Sequence, residues 1–230
     1  MSQQDDNTNP RQPERAESRD NMSTSKLPLI ELDRIVLLKG NHGRRKDGVC
    51  ALEAAAWLAG LRHSDTPACV CPVIRSFVIS WNDAIPDDAR RTELLKPFLL
   101  QILDTRSTPA VEIQRSYLAF DWLVRVQTPA WLDLSPNLAI HAAALRALTQ
   151  ITDRDTIDAS TPIIAATGDA ARAVAMAAAR DSAWAAARAA AGAKLQPTLD
   201  ALQASAADLL TRMIAVTDDQ SIAVSGGPTA

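Results

Sequence analysis

The stretch "CPVIRSFVISWNDAIP", residues 71–86, decides how the rest of the chain is read. Pro72 suits the first position of a helix, where its missing N–H is no loss. Val73, Ile74, Phe77, Val78 and Trp81 then recur at one, three and four residues, the spacing of one buried helical face. The same punctuation returns along the chain. Ile85-Pro86, Thr108-Pro109, Thr128-Pro129, Ser135-Pro136 and Thr161-Pro162 each precede an apolar run at helical spacing, and a Ser or Thr before proline is a natural N-cap. Leu94, Leu95, Phe98, Leu99 and Ile102 make one such run, and Tyr117, Leu118, Leu123 and Val124 another. Only "IVLLK", residues 35–39, has the pattern of a strand. The expected fold is all-α, a multi-helix bundle.

Working outward, residues 1–26 are polar, charged and almost free of large apolar side chains, which predicts a disordered tail. Residues 27–150 read as a helical domain, 151–216 as an Ala-rich C-terminal helical region packed on it, and 217–230 as a flexible tail. From Ala171 an eight-residue repeat sets in: Arg172, Arg180 and Arg188, with Met176, Trp184 and Gly192 four residues after each. Eight residues advance a helix by about 80° beyond whole turns, so the arginines spiral around the axis instead of forming one stripe. The expectation is one Ala-packed helix over 169–194 with Trp184 buried, followed by a final helix carrying Leu199, Leu202, Leu209, Leu210 and Met213. Trp57, Trp81, Trp122 and Trp131 fall on apolar faces and read as core anchors, and Asp121 with Arg125 as a surface or rim pair.

Composition narrows the function. A net charge of −3 argues against a strongly basic nucleic-acid binder. No run of about eighteen apolar residues suggests a membrane span, and the first residues have no apolar segment of the secretory kind. A cytoplasmic address is expected, where the three cysteines stay thiols or ligands.

All three cysteines and two of the three histidines fall within residues 39–72. Cys50 is expected in the first turn of a helix beginning near Gly48. There the helix dipole and the nearby Arg44, Arg45 and Lys46 would lower its pKa. Glu53 is the one ionisable polar side chain of that helix. Three readings stand side by side. His42, Cys50, His63 and Cys69 offer two nitrogens and two sulfurs, a donor set suited to tetrahedral zinc, although the spacing matches no common zinc pattern. Cys50, Glu53, His63 and Asp65 would instead serve a thiol-dependent or metal-dependent hydrolase or transferase. "GVC" opening a helix is similar to the start of papain-like and transglutaminase-like enzymes, whose partner residues lie on strands that this chain lacks. Lastly, the same residues can be a small core cysteine with capped turns around it. The loop Gly40–Gly48, with Arg44, Arg45 and Lys46, is a candidate anion cradle without a nucleotide-loop motif.

"LDRIVLLKGNHGRRKDGVCALEAAAWLAGLRHSDTPACVCPVI", "DWLVRVQTPAWLDL" and the Ala/Arg/Trp repeat with the helix after it together resemble a group of uncharacterised proteins of actinobacteria and their phages. The resemblance runs from about Leu32 to Val216, with the H-S-D-x-P-x-C stretch its most specific part. It implies a cytoplasmic helical accessory protein and assigns no activity to any residue. Protein interaction is the expected mode of action. Nucleic-acid binding through residues 44–46 is disfavoured by the net charge.

Overall fold

The computed structural model describes Leu32, Arg34 to Ala178 and Trp184 to Thr217, with backbone alone for 177, 178 and 184–194. The expected disordered tail (1–26), most of the C-terminal tail, Arg180, and the side chains of Trp184 and Arg188 lie outside the described residues.

The described chain is helical and contains no strand. The helices are α1 (Ala51–Leu58), α2 (Pro72–Ala84), α3 (Asp88–Leu95), α4 (Pro109–Trp122), α5 (Thr128–Leu132), α6 (Ala139–Arg146), α7 (Arg154–Ala178) and α8 (Trp184–Ala215). Pro72 and Pro109 open α2 and α4 as expected. Pro129 stands in the first turn of α5, which follows α4 without a break. The chain runs on from α4 through one π-helical turn, Leu123–Gln127, into α5, and the Thr128 hydroxyl donates to Leu123 O at 2.8 Å. The wider turn accommodates a residue that has no N–H to give and whose ring crowds the preceding turn.

Two further prolines depart from the expected pattern. Pro162 lies inside α7, which starts at Arg154 beneath an Asp153 carboxylate that accepts from Thr156 N at 2.8 Å. Pro197 lies inside α8, so the Ala-rich segment and the final helix are continuous from Trp184. Of the single helix expected over 169–194, residues 169–178 belong to α7 and 184–194 to α8, and 179–183 lie outside the described residues.

Two apolar clusters form. The larger gathers Ile35 and Leu37, α1, α2, the end of α3 with Leu99 and Ile102, Trp122, and the Leu202–Met213 face of α8. The smaller gathers Val124, Leu132, Leu138, Leu145 and Ile151, covered by Ile157, Ile163, Ile164 and Val174 of α7. Trp81 and Trp122 are core residues, as the periodicity implies. Trp131 and Leu123 are not: they stand 39% and 45% exposed.

The strand-like "IVLLK" alternates as a strand would, with Ile35 and Leu37 buried and Val36 exposed, but it has no neighbouring strand. Side chains take the place of one. Leu37 N donates to Thr92 Oγ1 at 2.8 Å, Asn82 Nδ2 donates to Leu38 O at 3.1 Å, and Gly40 N donates to Asp83 Oδ1 at 2.9 Å. Two backbone partners add to these: Leu38 N reaches Val49 O at 2.9 Å and Ile35 N reaches Leu32 O at 3.2 Å.

Two buried arginines complete the frame, and hydrophobic spacing hides both. Arg91, fully buried, donates to Asn82 O at 2.8 Å and also to Ile85 O and the Asp88 carboxylate, closing the C-terminal end of α2. Burial lowers its pKa, opposed by the charges of Asp83 and Asp87. Arg115 on α4 donates to Met213 O at 2.8 Å, Val216 O at 3.0 Å and Thr105 O at 2.5 Å. It thereby binds the end of α8, where helix carbonyls lack partners of their own. The expected Asp121–Arg125 pair forms at the rim, at 3.1 Å, and the buried Asp121 carboxylate also accepts from Ile151 N at 2.8 Å, tying the loop before α7 to α4.

Candidate functional site

The site begins with the first residues of α1. Cys50 is the N-cap and not a first-turn residue, with extended backbone at φ −80°, ψ 176°. Its sulfur accepts from Glu53 N–H, while the Glu53 carboxylate accepts from Cys50 N at 2.8 Å. This is a capping box with cysteine in the place usually held by serine or threonine.

Glu53, 1% exposed, does more than cap. Its Oε1 accepts from His42 N at 2.6 Å, and its Oε2 lies 2.9 Å from His42 Nδ1. His63 Nε2 stands 2.8 Å from His42 O and 3.6 Å from Glu53 Oε1. These contacts settle the tautomers. A carboxylate and a carbonyl can only accept, so His42 carries its proton on Nδ1 and His63 on Nε2. His63 Nδ1 is then a buried acceptor with no hydrogen-bond partner among the described residues.

Of the Gly40–Gly48 loop, His42 is the residue that holds the Glu53 carboxylate, through its N–H and its ring; Arg44, Arg45 and Lys46 form no hydrogen bond or ion pair with it. Burial tends to raise the Glu53 pKa. The N–H groups of His42 and Cys50 and the His42 ring outweigh that effect and hold it below the ordinary carboxylate value. Arg44, Arg45 and Lys46 are exposed on a short 3-10 turn, and the Arg45 guanidinium sits 3.0 Å from the Trp57 ring centroid. Gly48 closes the loop at φ 126°, and a Cβ there would fall 2.4 Å from Leu38 Cδ1 and 3.0 Å from His42 Nε2.

The expected activation of Cys50 is reversed. Burial raises its pKa to about 12, the Glu53 charge adds to the rise, and the N–H groups of Glu53 and Leu52 offset only part of it. The charge that bears on it is the negative one of Glu53, while Arg44, Arg45 and Lys46 stand out in solvent. The expected nucleophile set is only partly assembled: Glu53 and His63 meet, while Cys50 is a neutral thiol engaged as a cap.

The zinc set is not gathered either. Among the described residues no group of three or more His, Cys, Asp or Glu is placed to hold a metal ion. His42 and His63 converge on Glu53, whereas the Cys69 segment turns toward the loop before α4, with Arg106 N donating to Cys69 O at 2.9 Å and Cys71 N to Thr105 Oγ1 at 3.1 Å. All three cysteines are free, with Cys50 and Cys71 buried.

Asp65 lies apart from Glu53, on the wall of a cavity of about 290 Å³ that it shares with Gly40, Asn41, Cys50, Asn82 and Asp83. Burial raises the Asp83 pKa. The Asn82 amide, the Gly40 N–H, Lys39 and Arg91 together more than reverse that and lower it.

A second and larger space went unnoticed in the sequence. Between α2, α4 with its π turn, α5 and α8 runs a groove of about 780 Å³, walled by Phe77, Trp81, Trp122, Leu123, Trp131, Leu199 and Leu202. Phe77 meets Trp122 edge-on at 5.7 Å between ring centroids and Trp81 at 5.9 Å. The available signal was the wide apolar arc of α2, which has more large residues than one buried face requires.

No family model matches the chain, and no curated protein or solved structure matches it either. Among the described residues no helix is long and apolar enough to cross a membrane.

Proposed function

We propose that this chain is a non-catalytic binding protein that acts in the cytoplasm through a protein partner, held in the groove between α2, α4, α5 and α8. The observation that carries the reading is the open, aromatic-walled groove itself, with Trp131 and Leu123 exposed at its lip in a chain whose other tryptophans with described side chains are buried or covered. Large apolar side chains left together in solvent mark interaction surfaces more often than they mark chance. The reactive cluster supports the same reading from the other side. Cys50 is a neutral cap, and Glu53 spends its oxygens on the loop, which leaves no nucleophile paired with a base. An accessory role in actinobacteria or their phages, implied by the resemblance, belongs to this proposal.

A photo-crosslinking residue placed at Trp131 in the full chain tests it. A discrete protein adduct is expected from that position and none from Ile140, an equally apolar position on α6 that is 76% exposed. Adducts from Asp65, or turnover of a small substrate lost in Cys50→Ser, would overturn it.

A further inference from the structure

We infer that Arg44, Arg45, Lys46 and Arg62 form a second interaction surface, independent of the groove, that takes single-stranded nucleic acid. The four cations hold phosphates, and one base stacks on Arg45.

Position comes first. Arg44, Arg45 and Lys46 follow His42 on a loop that makes one 3-10 turn, Arg45–Asp47. His63 Nε2 donates to His42 O at 2.8 Å, which brings the neighbour of Arg62 against the same loop. The Arg45 guanidinium lies over the Trp57 ring, 3.0 Å from its centroid. The turn therefore reaches the C-terminal end of α1, the end from which the chain runs on to Arg62. All four cations are exposed.

Structural duty does not account for them. The Glu53 carboxylate that the loop holds is met by His42 and by Cys50 N. Among the described residues none of the four cations forms an ion pair or a side-chain hydrogen bond. The net charge of −3 does not cancel them, because it belongs to the whole chain. Fields between exposed charges fade over about 8 Å at physiological salt, so a ligand at the patch meets the local charge.

Stacking then selects among anions. Carboxylates and phosphates both suit exposed arginines, but a guanidinium lying over an indole is also a flat platform. Nucleic-acid bases stack on such platforms once they are free of a duplex, and acidic side chains do not. A three-residue turn is neither the helix nor the two-stranded ribbon that enters a major groove, which argues for the single strand.

The test follows fluorescence anisotropy of a labelled oligo(dT) of about fifteen nucleotides, and of its oligo(U) counterpart, titrated with the full chain. The two probes tell DNA from RNA, and binding of either supports the inference. Four phosphate contacts on a single strand give log K against log salt a slope of about −3, an affinity loss of about fifty-fold between about 50 and about 200 mM KCl. Arg44→Gln with Lys46→Gln should halve that slope to about −1.4, with the circular dichroism spectrum unchanged. Arg45→Lys keeps the charge but removes the platform, and should weaken binding about five-fold at an unchanged slope. No anisotropy change with either probe at about 50 mM KCl overturns the inference, as does a slope that the double variant leaves unaltered. An Arg45→Lys chain that binds like the parent removes the stacking, and the single-strand assignment falls with it. Poly-glutamate, duplex DNA or phosphatidylserine vesicles bound as tightly as the single strand also overturn it, since any polyanion then suffices.

Discussion

Removing the Glu53 carboxylate tests the claim that the Cys/His segment is held together by one buried anion. In Glu53→Ala the N–H groups of His42 and Cys50 and the Nδ1–H of His42 lose their acceptor together. Each orphaned buried donor costs about 1–3 kcal/mol, and breaking such a network by removing its one anion costs about 3–5 kcal/mol. The His42 side chain keeps 13% of its surface in water, so some solvent can reach the orphaned donors and the lower part of that range is expected. Glu53→Gln keeps the shape but turns an amide NH2 toward donors, at about 1–3 kcal/mol. Urea unfolding followed by tryptophan fluorescence reads both, as a lowered midpoint at unchanged slope. The sign with pH follows from the lowered pKa. The carboxylate's contribution is fully present above the unfolded value of 4.5 and is lost as pH falls through the lower folded value. The gap between the wild-type chain and Glu53→Gln should therefore narrow as pH falls below 4.5. A Glu53→Ala penalty under about 1 kcal/mol, or a gap that widens in acid, refutes the buried-anion account.

The cysteines make a second check. A thiol pushed from 9.0 to about 12 holds roughly 10³-fold less thiolate at neutral pH. Iodoacetamide should label half-buried Cys69 first and reach Cys50 and Cys71 only in denaturant, as read by peptide mass mapping; early labelling of Cys50 contradicts the cap assignment. Gly48→Ala should lower stability by about 1–3 kcal/mol, because it places a Cβ against Leu38 and His42 at a φ that residues with side chains avoid. An unchanged melting temperature would mean that the loop does not pack as described.

The helical class was legible in the spacing of residues 71–86 alone, because burial of one face imposes a 3.6-residue period whatever the partner is. Pro72 and Pro109 mark real starts for an equally local reason, the ring's fixed φ and absent N–H. Pro162 and Pro197 carry the same local signal and lie inside helices. There the surrounding helix, with α7 and α8 packed on the apolar clusters, outweighs one missing hydrogen bond. The gathering of Cys50, Glu53, His42 and His63 was visible as composition, and C-x-x-E at a helix start is a capping-box spacing that local reasoning can find. What the cluster does was not visible. Whether a thiol is reactive or inert depends on which charge lies nearest and how much water remains. Tertiary packing stripped water from Cys50 and left the arginines outside. Arg91 and Arg115 were invisible for a similar reason, since the carbonyls they serve belong to residues up to 101 positions away. The groove is likewise a property of four helices at once. Each contributes an ordinary apolar face, and only their separation decides that those faces leave a space.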